Sequence, residues 1–278
     1  MTKPVEKALW CIEIRLGSEL SLADIAACAG VSRYNLLRAF GVATGRSVMR
    51  YVRERRLTEA ARRLAAGAAD ILIVALDAGY GSHEAFTRAF GDQFGMTPEA
   101  VRAQRHLDNL NLVEPIRMDA SLVIDLEPPR FEAGRTLLIA GLGERYRFET
   151  NQGIPRQWER FQQYIGHIPG QLGNVAYGVC CNADGAGNFD YVTGVEVSSF
   201  DDLPSDFVRV RIPAQRYAVF SHREHISRMP ATVYTIWNKW LPDSGRQHAD
   251  APDFERYDER FDPRTGTGTV EIWLPIKE

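Results

Sequence analysis

The tetrapeptide Arg-Ala-Phe-Gly occurs twice in the first third of the chain, at residues 38–41 and 88–91, which are 50 residues apart. Gly45 and Gly95 follow the two copies at the same spacing. Upstream of each copy, a short apolar segment and a turn with glycine precede a segment of helical periodicity. A repeat of this kind predicts two copies of one helical unit, because each copy has the same face to bury.

The first copy carries the start and stop signals of two consecutive helices. Ser21 with Asp24 three residues later forms a weak capping-box pattern. Gly30 is expected to end this helix, since glycine adopts the left-handed conformation that a tight turn needs. Ser32 then caps a second helix, and the pattern is that of a helix-turn-helix unit. Its inward face is Leu36, Ala39 and Phe40, and its outward face is Arg33, Tyr34, Leu37 and Arg38.

The second copy follows the same plan, with a helix through residues 73–76, a stop near Gly79 and a cap at Ser82. Residues 47–67 between the copies form a long amphipathic segment, about 30 Å as a helix. Two units joined by a stiff helix can enter successive major grooves, which repeat about every 34 Å. The predicted inward residues are Ala85, Phe86, Ala89 and Phe90, and the outward residues are His83, Glu84, Thr87 and Arg88.

Charge is distributed unevenly along the chain. The net charge of −3 argues by itself against nucleic acid, but residues 1–112 carry 15 basic against 12 acidic residues. Residues 113–278 carry 18 basic against 24 acidic residues. The basic excess is mostly arginine between positions 33 and 63. This asymmetry predicts two partners of different chemical character.

Residues 5–105 resemble the AraC/XylS family of transcription regulators. The similarity is carried by "LSLADIAACAGVSRYNLLRAF", "GRSVMRYVRERRLTEAARRL" and "DAGYGSHEAFTRAFGDQFGMTPEAVR". The resemblance implies double-stranded DNA as a partner, bound in two adjacent major grooves. Leu37 departs from the polar residue usual in the family. The alternative for each arginine is an ordinary solvated helix charge. The DNA-binding positions implied are Arg33, Tyr34, Leu37, Arg38, His83, Glu84, Thr87 and Arg88.

The pattern changes after residue 106. Residues 1–106 are predicted to be an all-α DNA-binding domain, 107–118 a polar linker interrupted by Pro115, and 119–278 an α+β domain. The β-branched and aromatic segments "SLVIDL", "NVAYGVCC", "FDYVTGVEV", "FVRVRI", "RYAVFSH" and "TVEIWLPI" are predicted strands. "GIPRQWERFQQYI" and "RMPATVYTIWNKWL" are predicted helices.

The second domain contains its own repeat, at a spacing of 75 residues. The pairs Ile154–Pro155 with Met229–Pro230, and "VEV" at 195–197 with "VEI" at 270–272, keep this spacing. They predict a duplicated strand–helix–strand–strand unit, with two helices on one face of an antiparallel sheet. Ile272, Leu274 and Ile276 are expected to face the helices. Glu271 and Trp273 then share the other face, either as the floor of a pocket for an organic cation or as a half-exposed strand surface.

Residues 118–278 resemble the GyrI-like effector-binding domain. The similarity is carried by "YGVCCNADGAGNFDYVTGVEV", "IPAQRYAVFSH", "WLPDSG", "PDFERYDERFDP" and "VEIWLPIK". It implies a groove for a lipophilic or cationic small molecule, with the glutamate of the last strand as central contact. The segment 145–153 departs from the usual shorter loop of the family. The ligand residues implied are Glu271, Trp273, Tyr177, Trp158, Trp237 and Glu196.

Together these features predict a cytoplasmic DNA-binding transcription regulator whose second domain senses a small-molecule effector and biases DNA affinity or RNA polymerase recruitment. We expect no cofactor, no metal, no catalytic residue and no membrane segment, and four reduced cysteines. Two alternatives stay open at this point. The second domain is a hydrolase that uses a glutamate and an aromatic hydroxyl, or it is a module that binds a protein.

Overall fold

The computed structural model describes residues 3–277, which form two compact units. The helical unit comprises residues 3–33 and 47–118, and the sheet unit comprises residues 34–46 and 119–277. The helix that carries the first Arg-Ala-Phe-Gly copy therefore groups with the sheet and not with the helices that flank it in sequence. The described helices up to residue 118 are α1 (Pro4–Ile14), α2 (Leu22–Ala29), α3 (Arg33–Thr44), α4 (Val48–Ala65), α5 (Ile71–Asp77), α6 (His83–Phe94) and α7 (Pro98–Gln104).

The helix caps predicted at Ser21, Gly30 and Ser82 form as expected. Ser21 and Asp24 cap each other's backbone N–H groups at the start of α2, and Gly30 ends that helix at a φ of 73°. The hydroxyl of Ser82 accepts a hydrogen bond from the N–H of Ala85 at 3.1 Å. The side chain of Ala85 itself is exposed, contrary to the prediction. The core of the helical unit includes Leu57, Leu64, Val74, Phe86, Phe90 and Val101.

The segment 107–118, predicted as a linker, lies along α4 in the helical unit. Leu110 is buried in the helical core. Arg55 donates to the carbonyl oxygen of Val113 at 2.8 Å, and the Ile116 N–H donates to the hydroxyl of Tyr51 at 3.2 Å. These bonds satisfy backbone groups of an extended segment that has no sheet partner.

The sheet unit is built on one antiparallel sheet with the strand order β1-β6-β8-β7-β3-β4-β2-β5. Each half of the sheet holds the same arrangement, so the predicted duplication and the predicted α+β fold are confirmed. The first strand of each half pairs with the other half. The strands are β1 (Arg130–Gly134), β2 (Leu137–Arg147), β3 (Gln171–Cys181), β4 (Asn188–Val197), β5 (Val208–Ile212), β6 (Gln215–His222), β7 (Asp253–Asp262) and β8 (Thr267–Ile276).

Two helices occupy equivalent places in the duplicated halves. Helix α8 spans Ile154–Gln162, and α9 spans Met229–Thr235 and continues through a π-helical turn, Ile236–Trp240. Phe161 of α8 packs on one face of β2 and β4. Trp240 packs against Phe220, which lies opposite Ile272 in the sheet. The prediction that Ile272, Leu274 and Ile276 face the helices is thereby confirmed, and all three are buried.

The strand predictions need two corrections. Residues 121–126 form no strand: Ala120–Leu122 is a 3₁₀ turn, and the Ile124 N–H donates to the hydroxyl of Thr235 instead of to a sheet neighbour. Strands β1, β2 and β7 were not predicted. Glycines interrupt β2, and seven of the ten residues of β7 are charged, which hides both from a search for apolar alternation. None of the helices within residues 3–277 has the length and apolar character of a membrane span.

Candidate functional site

Asp253 and Glu255 of β7 lie on the helix-covered face of the sheet. The strand register places Cys180 opposite Asp253 and then Tyr191 opposite Cys180, in one row across three strands. Gly178 lies opposite Glu255. A Cβ at Gly178 would lie 2.2 Å from the Tyr191 hydroxyl and 2.7 Å from Glu255 Oε2, so only glycine allows these groups to approach. We name this part of the sheet face the Asp253–Glu255 site.

Glu255 is a half-buried carboxylate held by phenol groups. The hydroxyls of Tyr191 and Tyr257 donate to Glu255 Oε2 at 2.7 and 2.9 Å. Trp158 of α8 donates to the Tyr191 hydroxyl at 3.0 Å, and its ring centroid lies 4.7 Å from that of Tyr257. Burial raises the pKa of Glu255 above its ordinary value, although both hydroxyl bonds favour the charged form. Within residues 3–277, Glu255 has no salt bridge.

Asp253 is paired with Arg38 of α3, which belongs to the same compact unit. Arg38 Nε lies 3.1 Å from Asp253 Oδ1 and Arg38 Nη2 lies 2.5 Å from Oδ2, so the contact is bidentate. The guanidinium carbon is 5.5 Å from the ring centroid of Trp237, 5.8 Å from that of Phe189 and 5.9 Å from that of Phe148. Burial opposes the charge, but Asp253 outweighs it, and the pKa of Arg38 is raised. Only 5% of Arg38 is exposed.

Tyr34 of α3 is also covered by the sheet unit. Its ring stacks on His248 with centroids 5.3 Å apart and an angle of 12° between the planes. Burial and the nearby charge of Arg38 lower the pKa of His248 to about 3, so the imidazole is neutral. The prediction that this face of α3 is exposed is therefore wrong for Tyr34, Leu37 and Arg38 in this structure, and Arg33 alone of the four is exposed. Whether these residues contact DNA stays a prediction.

The second predicted DNA-contacting helix, α6, has the opposite character. His83, Glu84 and Arg88 are exposed, and Thr87 is half-buried. His83 Nε2 lies 3.1 Å from Oε1 of Glu99 at the surface. The outward face predicted for the second copy is thus open to solvent, which a surface for phosphate and base contacts requires.

Glu271 lies on the sheet face away from the helices, as predicted, but it is not a free carboxylate. Arg260 Nη2 approaches Oε1 to 2.5 Å, Arg130 Nη2 approaches the same oxygen to 3.0 Å, and Arg256 Nη1 lies 3.2 Å from Oε2. Trp273 Nε1 donates at 3.1 Å. Burial alone would raise the pKa of Glu271, but the bonds from Arg260, Trp273 and Arg130 outweigh it and lower the pKa. The charge that a cationic ligand would need is already neutralised.

The other predicted ligand residues separate into two groups. Glu196 is paired with Arg135, Trp273 stacks on Phe254, and Tyr177 is buried in the aromatic core of the same sheet face. Trp158 donates to the Tyr191 hydroxyl, which in turn donates to Glu255, and Trp237 lies beside Arg38. The sequence search missed Asp253, Glu255, Tyr191 and Tyr257. The signal was present in "PDFERYDERFDP", where Asp253, Glu255 and Tyr257 alternate as residues of one strand face do.

Comparison with known proteins is consistent with both parts of the chain. The model of the GyrI-like small molecule binding domain matches residues 128–277, and a helix-turn-helix domain model matches residues 25–104. Transcriptional regulator Rob of Salmonella typhimurium is 26% identical over 97% of this chain and 96% of its own length. Transcriptional regulator BrlR of Pseudomonas aeruginosa is 34% identical over 44% of this chain and 46% of its own. Multiple antibiotic resistance protein MarA of Escherichia coli is 32% identical over 38% of this chain and 83% of its own.

The GyrI-like match covers more than half of the chain, and the regulator that aligns along nearly its whole length shares both parts. The chain belongs to the GyrI-like family of small-molecule-binding domains, joined here to an AraC-type helix-turn-helix domain in a DNA-binding transcription regulator.

Proposed function

We propose that Glu255 is the carboxylate through which this regulator binds an organic cation as its effector. One observation carries the proposal: Glu255 is half-buried and accepts hydrogen bonds from the hydroxyls of Tyr191 and Tyr257, without a cationic partner among the described residues. A cation beside it gains the attraction of a carboxylate and about 0.5–2 kcal/mol from an aromatic face. Asp253, two residues away on the same face, is paired with Arg38 and adds no free charge.

Glu271 is the competing candidate, and its surroundings disfavour it. Three guanidinium groups already surround that carboxylate. A ligand cation there would meet the repulsion of three guanidinium groups and would gain little net energy. Glu196 is already paired with Arg135.

Titration calorimetry on the full chain tests the choice of carboxylate. The probes are benzamidinium, phenylguanidinium and tetraphenylphosphonium, with neutral benzamide as the comparison. We expect at least one of the cations to bind, Glu255→Gln to weaken it at least about tenfold, and Glu196→Gln to leave it unchanged. Cation binding that survives Glu255→Gln but disappears in Glu271→Gln would reverse the assignment. Recovery of the probe unchanged after incubation counts against the hydrolase alternative.

The DNA contacts are part of the same proposal. The exposure of His83, Glu84 and Arg88 on α6 supports base contacts in one major groove, with Thr87 at its edge. The adjacent groove is proposed to be contacted by α3, through Arg33, Tyr34, Leu37 and Arg38, when these residues are accessible.

Recruitment of RNA polymerase in the cytoplasm is the proposed output. Transcription with purified polymerase, from a template that carries the bound site upstream of a promoter, measures it directly. A transcript level that the chain leaves unchanged contradicts recruitment.

A further inference from the structure

We infer that Arg38 occupies the Asp253–Glu255 site as a built-in cation. Packing of α3 on the sheet, which we call docking, then competes with DNA for the first recognition helix. A flat cation that displaces Arg38 releases this helix. The identity of the displacing ligand rests on the proposed function. The docking itself rests on the contacts of α3 alone.

The surroundings of Arg38 are those of a guanidinium-binding site. A bidentate carboxylate, Asp253, lies at one edge of the guanidinium, and Trp237, Phe189 and Phe148 lie within 6 Å of its carbon. Planar cations with two N–H groups on one edge satisfy this arrangement, and a spherical ammonium uses only part of it. The site therefore favours guanidinium and amidinium ligands.

Two further contacts fix α3 in this place. One turn before Arg38, Tyr34 stacks on His248. One turn after it, Gly41 faces the ring of Phe148 so closely that a Cβ at Gly41 would lie 2.4 Å from its nearest ring carbon. Phe148 is itself stacked on Phe189, with ring centroids 4.9 Å apart. Three successive turns of α3 therefore contact residues 119–277 of the sheet unit.

The second copy of the repeat shows what an undocked copy looks like. Arg88 is exposed, and nothing lies within 4 Å of a Cβ at Gly91. The two copies have the same four residues, so the difference does not come from the motif. It comes from Asp253 and Phe148 in the sheet unit, which have no counterpart at the second copy among the described residues.

Docking and base contact exclude each other at Arg38. Arg38 is buried against Asp253 and cannot reach a guanine in this state, and Tyr34 cannot face a base while it stacks on His248. A ligand that binds only when α3 has left the site shifts the population toward the undocked state. The apparent DNA affinity rises in proportion to the undocked fraction.

The first test compares variants of the full chain by their affinity for one DNA duplex, selected beforehand by binding of the original chain to a pool of random sequences. Asp253→Asn removes the partner of Arg38 without touching a DNA-contacting residue. We expect about tenfold tighter binding, within the range usual for coupled sites. Asp262→Asn is the matched control, because it removes the same charge from the other end of β7, where Asp262 accepts from the backbone of Arg264. If both variants bound DNA more tightly by the same factor, the gain would come from the loss of a negative charge that repels phosphate, and not from the release of Arg38.

The second test changes the helix and not the carboxylate. Alanine has a higher helix propensity than glycine, so Gly41→Ala should stabilise α3 as a helix. In the docked state, however, the added Cβ would clash with the ring of Phe148. Gly41→Ala should bind DNA more tightly, and Gly91→Ala should not. In a Phe148→Ala background, Gly41→Ala should add no further effect. Hydrogen exchange of residues 34–46 should be faster in Gly41→Ala than in the original chain, while thermal unfolding confirms that the sheet unit remains folded.

The third test adds the ligand. Benzamidinium should raise the DNA affinity of the original chain and leave that of Asp253→Asn unchanged, and benzamide should affect neither. If Asp253→Asn and Gly41→Ala tighten DNA binding but benzamidinium has no effect, docking holds and the ligand class is wrong. If both variants remain folded and bind DNA no more tightly than their controls, docking of α3 does not compete with DNA and the inference is overturned.

Discussion

Replacing Glu271 by glutamine is expected to destabilise the sheet unit and to leave cation binding largely intact. Glu271 is 2% exposed and is surrounded by three arginines and an indole N–H. Glutamine keeps the shape and one acceptor oxygen, but its amide presents N–H groups to guanidinium groups that cannot accept them.

The size of the effect follows from the number and exposure of these bonds. Hydrogen bonds to a charged group contribute about 1.5–3 kcal/mol each when buried. The arginine side chains are 28–44% exposed, so water partly replaces what is lost, and the bonds do not add fully. We expect a loss of about 2–4 kcal/mol in the free energy of unfolding. For a unit of this size, that is about 4–16 °C in Tm.

The pH dependence has a definite sign. The pKa of Glu271 is lowered in the folded state, so its contribution to stability is present above its ordinary value of 4.5 and is lost as the pH falls through the folded value. The unfolding free energies of the original chain and of Glu271→Gln should therefore differ at pH 7 and converge in acid.

Urea unfolding followed by tryptophan emission measures this difference, since four of the five tryptophans lie in the sheet unit. Glu196→Gln is the control, because its partner Arg135 has a side chain that is 67% exposed, and we expect a loss below about 1 kcal/mol. Equal urea midpoints for Glu271→Gln and the original chain at pH 7, with cation binding abolished, would refute the reasoning and return Glu271 to the ligand site.

Three further predictions concern other parts of the chain. Arg88→Ala should cost about 1–3 kcal/mol in DNA binding and relax the preference at one base pair, and equal band-shift titrations on selected and scrambled duplexes would contradict this. Gly141→Ala should lower the free energy of unfolding in urea by about 1–3 kcal/mol, because its Cβ would lie 2.0 Å from the carbonyl oxygen of Thr193. An unchanged urea midpoint would show that β2 and β4 move apart at no cost. Because burial raises the pKa of Glu255, cation binding should be lost as the pH falls through a value above the ordinary 4.5, whereas binding that persists below 4.5 would point to Glu271.

The local features of the fold were predictable from the sequence. The capping residues, the glycine that ends α2, the 75-residue duplication and the burial of Phe86 and Phe90 all follow from short patterns. The caps and the buried positions depend on residues within one or two helical turns or on strand alternation, so a short stretch of sequence contains the interacting residues. The duplication is visible because the same short patterns recur at a fixed spacing.

Strand β7 shows where this approach fails. Its charged residues have the composition of a surface loop, and no local pattern shows that they are paired. Asp258 is bound by Arg256 and Arg260 on its own strand, but Glu255 and Asp253 find their partners on β4 and on α3. The buried charges of β7 are tolerated because of these partners, and those of Asp253 and Glu255 on α3 and β4 lie tens to hundreds of residues away.

The choice between Glu255 and Glu271 was decided in the same way. Both are glutamates in strands next to aromatic residues, and nothing local separates them. The sheet register places Arg256 opposite Glu271 and Gly178 opposite Glu255, so one carboxylate is neutralised and the other is left beside phenols and an indole.

The sequence alone determined that this chain holds two helix-turn-helix copies and a duplicated α+β unit, since helix caps, periodicity and repeats act over short distances. The tertiary structure alone decided which carboxylate is available and which of two identical Arg-Ala-Phe-Gly motifs is buried. Burial and charge pairing depend on groups brought together from positions as distant as 38 and 253, and the energy of an ionisable side chain is set by those neighbours and not by the residues beside it in the chain.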